Sequence, residues 1–68
     1  MEKFKKGDRF KSKGETVYGV DVDIIITFDS YLEKEEKTEH WDCVVESEGI
    51  LLMYDTKSLI EEDIFIGQ

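Results

Sequence analysis

Two side chains in this sequence could run nucleophilic chemistry together, the thiol of Cys43 and the imidazole of His40. A thiol nucleophile needs its base within hydrogen-bond reach. The segment holding them alternates Trp41, Cys43 and Val45 with His40, Asp42 and Val44, which is the period of a strand. Residues three apart on a strand point to opposite faces, so Cys43 joins the apolar side as a small core residue and His40 becomes a solvated surface histidine. Asp21-Val22-Asp23 opens like a calcium loop, yet no glycine or closing glutamate follows at the required spacing. One His and one Cys fall short of the four ligands of a structural zinc site. Gly7, Gly14 and Gly19 form no phosphate-cradling pattern and suit turns and a bend. The expectation is a protein without a catalytic set, a metal or a cofactor.

Charge and apolar surface remain, and both are unevenly placed. The 68 residues carry 9 Lys+Arg against 17 Asp+Glu, a formal net charge of −8. Residues 1–13 hold six basic side chains against Glu2 and Asp8, whereas the rest has only Lys34, Lys37 and Lys57 to set against fifteen carboxylates. Lys5, Lys6, Arg9, Lys11 and Lys13 could follow a nucleic-acid backbone, with Phe4 and Phe10 free to stack on bases. Alternating cations are also what an exposed edge strand carries against aggregation, and the acidic remainder repels phosphates. Nucleic acid is therefore the runner-up partner, behind a protein with a basic surface.

Strands must position these groups. From Tyr18 to Phe28 every even position is apolar, while Gly19, Asp21, Asp23, Ile25 and Thr27 fill the odd ones. This predicts a long half-buried strand. Its antiparallel partner lies across the charged turn EKEEKT at 33–38, so that residues 17–29 and 39–46 pair with Ile24, Ile26, Trp41 and Cys43 inside. Matching the apolar faces makes paired numbers sum to about 71, with Asp29 opposite Asp42 and Asp23 opposite Glu48. Ser47-Glu48-Gly49 turns the chain into Ile50–Tyr54, which is apolar on both sides and is expected to be central or covered. Upstream, Gly7-Asp8 opens a short strand Arg9–Ser12, closed by Lys13-Gly14-Glu15. Downstream, Asp55, Thr56 or Ser58 could cap one helical turn, Ser58-x-x-Glu61 fits a capping box, and Asp63–Ile66 completes a sheet edge.

The face opposite the core then carries Asp21, Asp23, Asp29, Asp42, Glu46 and Glu48, extended over the turn by Glu33, Glu35, Glu36 and Glu39. Like charges opposed across strands destabilise a sheet, and a basic partner would relieve them. At the centre of this face stand Ile25, Thr27 and Val44, joined by either Leu51/Met53 or Leu52/Tyr54. An apolar centre with a charged rim is the anatomy of an interface; the alternative is an acidic face that keeps a small protein soluble, with a crossing strand or the helical turn over Ile25 and Val44.

The length allows one domain, 1–68, and the elements describe a mainly β, small five-stranded barrel with one short helical turn before its last strand. One Cys leaves no intrachain disulfide. No apolar run approaches the ~20 residues of a membrane span and MEKFKKGDRFKSKG lacks a signal core, so a cytoplasmic location is expected. Lys5-x-Gly7-Asp8-x-Phe10 ahead of a long strand, then a hairpin, Tyr54, Leu59 and Ile64-x-Ile66, resemble the Src-homology-3-like (SH3-like) barrels encoded by bacteriophages and prophages. The resemblance covers nearly the whole chain and rests on structural positions. It implies a non-enzymatic binder that inhibits or modulates a host protein in the host cytoplasm, with DNA mimicry as one mechanism. Two alternatives stand beside it, a nucleic-acid-associated barrel using the basic N-terminal strand and a homodimeric structural component.

Overall fold

Five strands follow one another in chain order, with the longest connection, residues 32–42, between the second and third. The computed structural model describes residues 3–68; Met1 and Glu2, the latter counted in the N-terminal charge, lie outside the described residues. Strands β1 (Arg9–Glu15), β2 (Asp21–Tyr31), β3 (Cys43–Ser47), β4 (Ile50–Tyr54) and β5 (Ile64–Gly67) form one antiparallel sheet, with helix α1 (Thr56–Glu61) between the last two. The order is β4-β3-β2-β1-β5. The long strand β2 pairs with β1 from Asp21 to Thr27 and with β3 from Thr27 to Tyr31, so its two halves serve two parts of a bent sheet. This is the expected mainly β, small five-stranded, barrel-like fold with a helical turn before the last strand. No ladder joins β4 to β5 among the described residues, and both remain edges.

The core lies inside the bend. Phe10 from β1, Ile26 and Phe28 from β2, Cys43 and Val45 from β3 and Leu59 from α1 form one buried cluster, against which Phe4, Ile24, Tyr31 and Tyr54 pack. Phe4 meets Phe10 edge-on with ring centroids 5.4 Å apart, and Phe28 meets Tyr31 at 4.9 Å. Such pairs contribute about 0.5–1.5 kcal/mol beyond their buried area. Tyr31 also ties down the segment ahead of β1, because its hydroxyl accepts from the backbone N–H groups of Lys3 and Phe4, both at 2.8 Å.

Several expectations shift, each for a local reason. Strand β1 does not stop at Ser12, because Gly14 is a close-approach residue: a Cβ there would come within 3.3 Å of Ile24 Cγ2. The turn falls at Thr16–Val20, where Thr16 N donates to Val20 O at 3.0 Å and Gly19 adopts φ 79°. Tyr18 and Val20, expected to begin the buried row, are consequently exposed turn residues. Trp41, expected inside with Ile24, Ile26 and Cys43, precedes β3 and is 42% exposed. The chain uses residues 38–41 for a turn in which Thr38 Oγ1 accepts from the N–H groups of His40 and Trp41. The inner face keeps Ile26 and Cys43, half-buries Ile24 and loses Trp41.

The register of β2 on β3 also differs. Thr27 pairs with Glu46 and Phe28 with Val45, and a bulge at Asp29 then sets Ser30 beside Val44 and Tyr31 beside Cys43. Asp29 therefore does not oppose Asp42, and Asp23 does not oppose Glu48. Before the bulge the pairing slips by two residues, which preserves faces because the side-chain period is two; past it the slip is three, and the extra residue lets Tyr31 take the inner side beside Cys43. Ile50–Tyr54 is neither central nor covered but an edge strand. The capping box at Ser58 and Glu61 does not form, since Ser58 lies inside α1 and its hydroxyl donates to Glu62 Oε2 at 3.0 Å.

Candidate functional site

The candidate site is the outer face of the sheet, and the pairing of β1 with β2 decides its electrostatics. Arg9 lies beside Thr27, Lys11 beside Ile25, Lys13 beside Asp23 and Glu15 beside Asp21. The basic row and part of the acidic row, which the sequence separates, thus share one surface. Lys13 Nζ donates to Asp23 Oδ1 at 3.0 Å, and this contact holds the Asp23 carboxyl below its ordinary value. Exposed pairs of this kind contribute little to stability, but they cancel charge locally. At the bulge, Asp29 lies 3.7 Å from Lys6 Nζ. Opposite charges meet at Lys13 and Asp23 and at Lys6 and Asp29, while Glu15 and Asp21 at the turn end of β1 and β2 remain a like-charged pair.

Asp42 has a different role. Its Oδ1 accepts from Thr56 N at 2.8 Å and its Oδ2 from the Thr56 hydroxyl at 2.7 Å, so the carboxylate holds the start of α1. It belongs to the loop before β3 rather than to a ladder of free anions. Glu46 and Glu48 stay on the face, beside a groove of about 480 Å³ that Arg9, Asp23, Ile25 and Thr27 also line. Glu46 Oε2 accepts from Gly49 N at 3.2 Å across the Glu48-Gly49 turn. The pairing of β3 with β4 sets Leu51 beside Glu46 and Met53 beside Val44, which selects Leu51/Met53 as the apolar neighbours of the face. Ile25 is 44% exposed, Leu51 62% and Met53 46%, while Val44 is half-buried. The structure therefore groups Asp23, Ile25, Glu46 and Glu48, puts Val44 beside Met53, and leaves Asp21 at the far end of β2. Asp29 and Asp42 are separated from this group by their own partners.

The basic residues are partly engaged as well. Arg9 Nη2 donates to the Gln68 carbonyl at 3.1 Å, Lys6 and Lys13 make the pairs above, and the Lys5 backbone N–H donates to Asp8 Oδ2 at 3.0 Å. Lys11 stands beside Ile25. Sequence reasoning missed that these cations border the acidic row. The signal was present in the two alternating segments 9–15 and 21–27, which fold back on each other once Gly19 rather than Gly14 is taken as the turn.

The thiol and imidazole do not meet. Cys43 is fully buried and its thiol is pushed up to about 12, first by burial and then by Asp42 and Asp55. The thiolate is the reactive form, so this cysteine is inert at neutral pH. His40 sits in the exposed turn, its Nε2 3.5 Å from Glu39. The Tyr54 hydroxyl donates to Asp63 Oδ2 at 2.6 Å and lies 3.3 Å from Ser12 Oγ, bracing β4 to β1 and to the residue before β5. Burial and the Asp63 contact push this phenol up to about 12. Among the described residues no three His, Cys, Asp or Glu side chains converge as a metal-ligand set, and no helix is long and apolar enough to cross a membrane. No family model, no curated protein and no solved structure matches this chain.

Proposed function

We propose that this chain is a non-enzymatic protein-binding domain that uses the outer sheet face around Ile25, Val44, Leu51 and Met53. The observation that carries this reading is the exposure of Ile25, Leu51 and Met53 on one face, next to the groove rimmed by Glu46 and Glu48. Single exposed apolar residues are ordinary, but a group of them with a charged rim is how partners are held. The complementary surface carries cations opposite Glu46 and Glu48 and an apolar centre. By its resemblance to phage barrels, the partner is a host protein in the host cytoplasm that this domain inhibits or modulates.

DNA mimicry needs a row of free anions, and Asp23, Asp29 and Asp42 have internal partners in Lys13, Lys6 and Thr56. An apolar-centred contact is therefore the preferred form of the reading. The nucleic-acid alternative is weakened in the same way, since Lys6, Arg9 and Lys13 are engaged within the chain. Capture of a partner from source-cell lysate on the immobilised domain tests the proposal, with Ile25→Asp and Val44→Asp run beside the parent. Both variants should lose the partner through faster dissociation while circular dichroism stays unchanged. Retention by both folded variants refutes the face, and retention of an oligonucleotide near physiological salt promotes the alternative.

A further inference from the structure

An unprotected sheet edge is a template for another strand, and the two edges here differ in protection. Strand β5 has four residues, pairs with β1 across a register shift between Arg9 and Phe10, and ends at Gly67 with φ 97°. Strand β4 has no such device. Ile50-Leu51-Leu52-Met53-Tyr54 contains no charge and no proline, and its register on β3 runs unbroken from Ser47–Ile50 to Cys43–Tyr54. Its turn is two residues long, Glu48 at φ 52° and Gly49 at φ 80°. In such a hairpin the residues flanking the turn exchange both backbone hydrogen bonds, and the alternation along the ladder then aims the N–H and C=O groups of Leu51 and Met53 away from β3. Outward groups two residues apart are what an added strand engages.

We propose that β4 accepts an extended segment of a partner protein as a sixth strand, one with alternating apolar side chains and Lys or Arg at both ends. This rests on the protein-binding reading above and names how the partner docks. Charge selects the occupant. The turn end of β4 carries Glu46 and Glu48, and the other end carries Asp55 and Asp63, with Lys57 the one cation on α1. A second copy paired antiparallel would set Glu48 of one chain near Asp55 of the other at both ends, and each chain brings a net charge of −8. A strand with basic ends meets opposite charge at both. The outward side chains Leu51 and Met53 continue the face of Ile25 and Val44, so one partner can cover edge and face together.

Hydrogen exchange of single amides, followed by NMR, tests this with the synthetic peptide Lys-Lys-Val-Thr-Val-Thr-Val-Lys-Lys. Two control peptides carry glutamates in place of the lysines, or methyl groups on the central backbone nitrogens. Exchange at the Leu51 and Met53 amides should slow roughly tenfold with the first peptide at saturation and remain unchanged with both controls. Met53→Lys should abolish the effect while the melting temperature holds. Slowing confined to β1 and β2, or no slowing at millimolar peptide, overturns the edge inference and leaves the face to be judged by Ile25→Asp. Slow exchange at Leu51 and Met53 without peptide, together with a dimer mass in sedimentation, overturns it in favour of a second copy.

Discussion

Replacing Asp42 with Ala should destabilise the fold, although the sequence puts this residue on a surface. Its two oxygens accept from Thr56 N at 2.8 Å and Thr56 Oγ1 at 2.7 Å. Helix α1 has six residues, and the residue at its N-cap, Asp55, makes no side-chain capping bond. Asp42 takes that role from a loop fourteen residues earlier. Loss of an N-capping acceptor costs about 0.5–2 kcal/mol, and a hydrogen bond to a charged group is worth about 1.5–3 kcal/mol. Asp42 is half-buried, so water replaces part of what is lost and ~1–2 kcal/mol is the working figure. The consequence reaches the core, because α1 delivers Leu59, which is 3% exposed. For a domain of this size each kcal/mol moves the melting temperature by roughly 4–8 °C, so the variant should melt about 5–15 °C lower. Thermal unfolding by circular dichroism measures this, and a cycle with Thr56→Val, which keeps the backbone N–H, isolates the hydroxyl contact, with an expected coupling of about 1 kcal/mol. Asp21→Asn, an exposed control, should stay within ~0.5 kcal/mol of the parent. A melting temperature for Asp42→Ala within about 1 °C of the parent, or strict additivity with Thr56→Val, would refute the assignment.

Three further outcomes follow from the core and its braces. Ile26→Ala, at a position 1% exposed, should cost about 2–5 kcal/mol, and an unchanged unfolding midpoint would mean that the inner face is misassigned. The Cys43 thiol, buried and raised to about 12, should react with a thiol reagent only as fast as the protein opens; rapid labelling of native protein would remove it from the core. Asp8 is held below its ordinary 3.8, first by the Lys5 backbone N–H and then by the Gln68 amide. A carboxyl lowered by folding stabilises above its unfolded pKa, and that contribution disappears as pH falls through its folded value. Acid unfolding should therefore steepen below about pH 4 in the parent and less so in Asp8→Asn, and identical acid limbs would contradict the brace.

Period two located the strands because a half-buried sheet leaves a direct trace in composition, and Phe28, Ile26, Cys43 and Val45 stand where that trace puts them. It did not say where a strand stops. Trp41 and Tyr18 continue the alternation on paper, but Thr38 and Thr16 capture nearby backbone N–H groups and turn the chain before either can be buried. Gly14 and Gly19 look alike in sequence, and only packing against Ile24 separates the one that admits a neighbour from the one that needs positive φ. The slipped register and the bulge at Asp29 leave no sequence signal; the slip removes the acidic pairs across β2 and β3, and Asp23 lies beyond that ladder, beside Lys13. Ile50–Tyr54 misled for a physical reason. Apolar residues on both faces mark a strand that is covered by its own chain, and equally one that waits for another chain to cover it.

Internal pairing also decides which carboxylates a partner can feel. Charges with a free field set the association rate and its salt dependence, whereas desolvated apolar contacts set the residence time. The Asp23 charge is offset by Lys13 at 3.0 Å, so at distances beyond a Debye length the pair presents almost no net charge. Glu46 and Glu48 have no cation among the ion pairs of the described residues. Glu46→Gln with Glu48→Gln should then slow association with the captured partner and flatten its salt dependence, with dissociation nearly unchanged. The exchange is mild for the fold, because the amide oxygen of a glutamine side chain can still accept from the Gly49 N–H that Glu46 engages at 3.2 Å. Removing the internal pair as a unit, Lys13→Gln with Asp23→Asn, changes no net charge and should leave the association rate close to the parent's at every salt concentration. A paired variant at 46 and 48 that likewise associates at the parental rate would mean that the acidic rim serves solubility alone, and the apolar residues of the face and the β4 edge would then have to account for recognition.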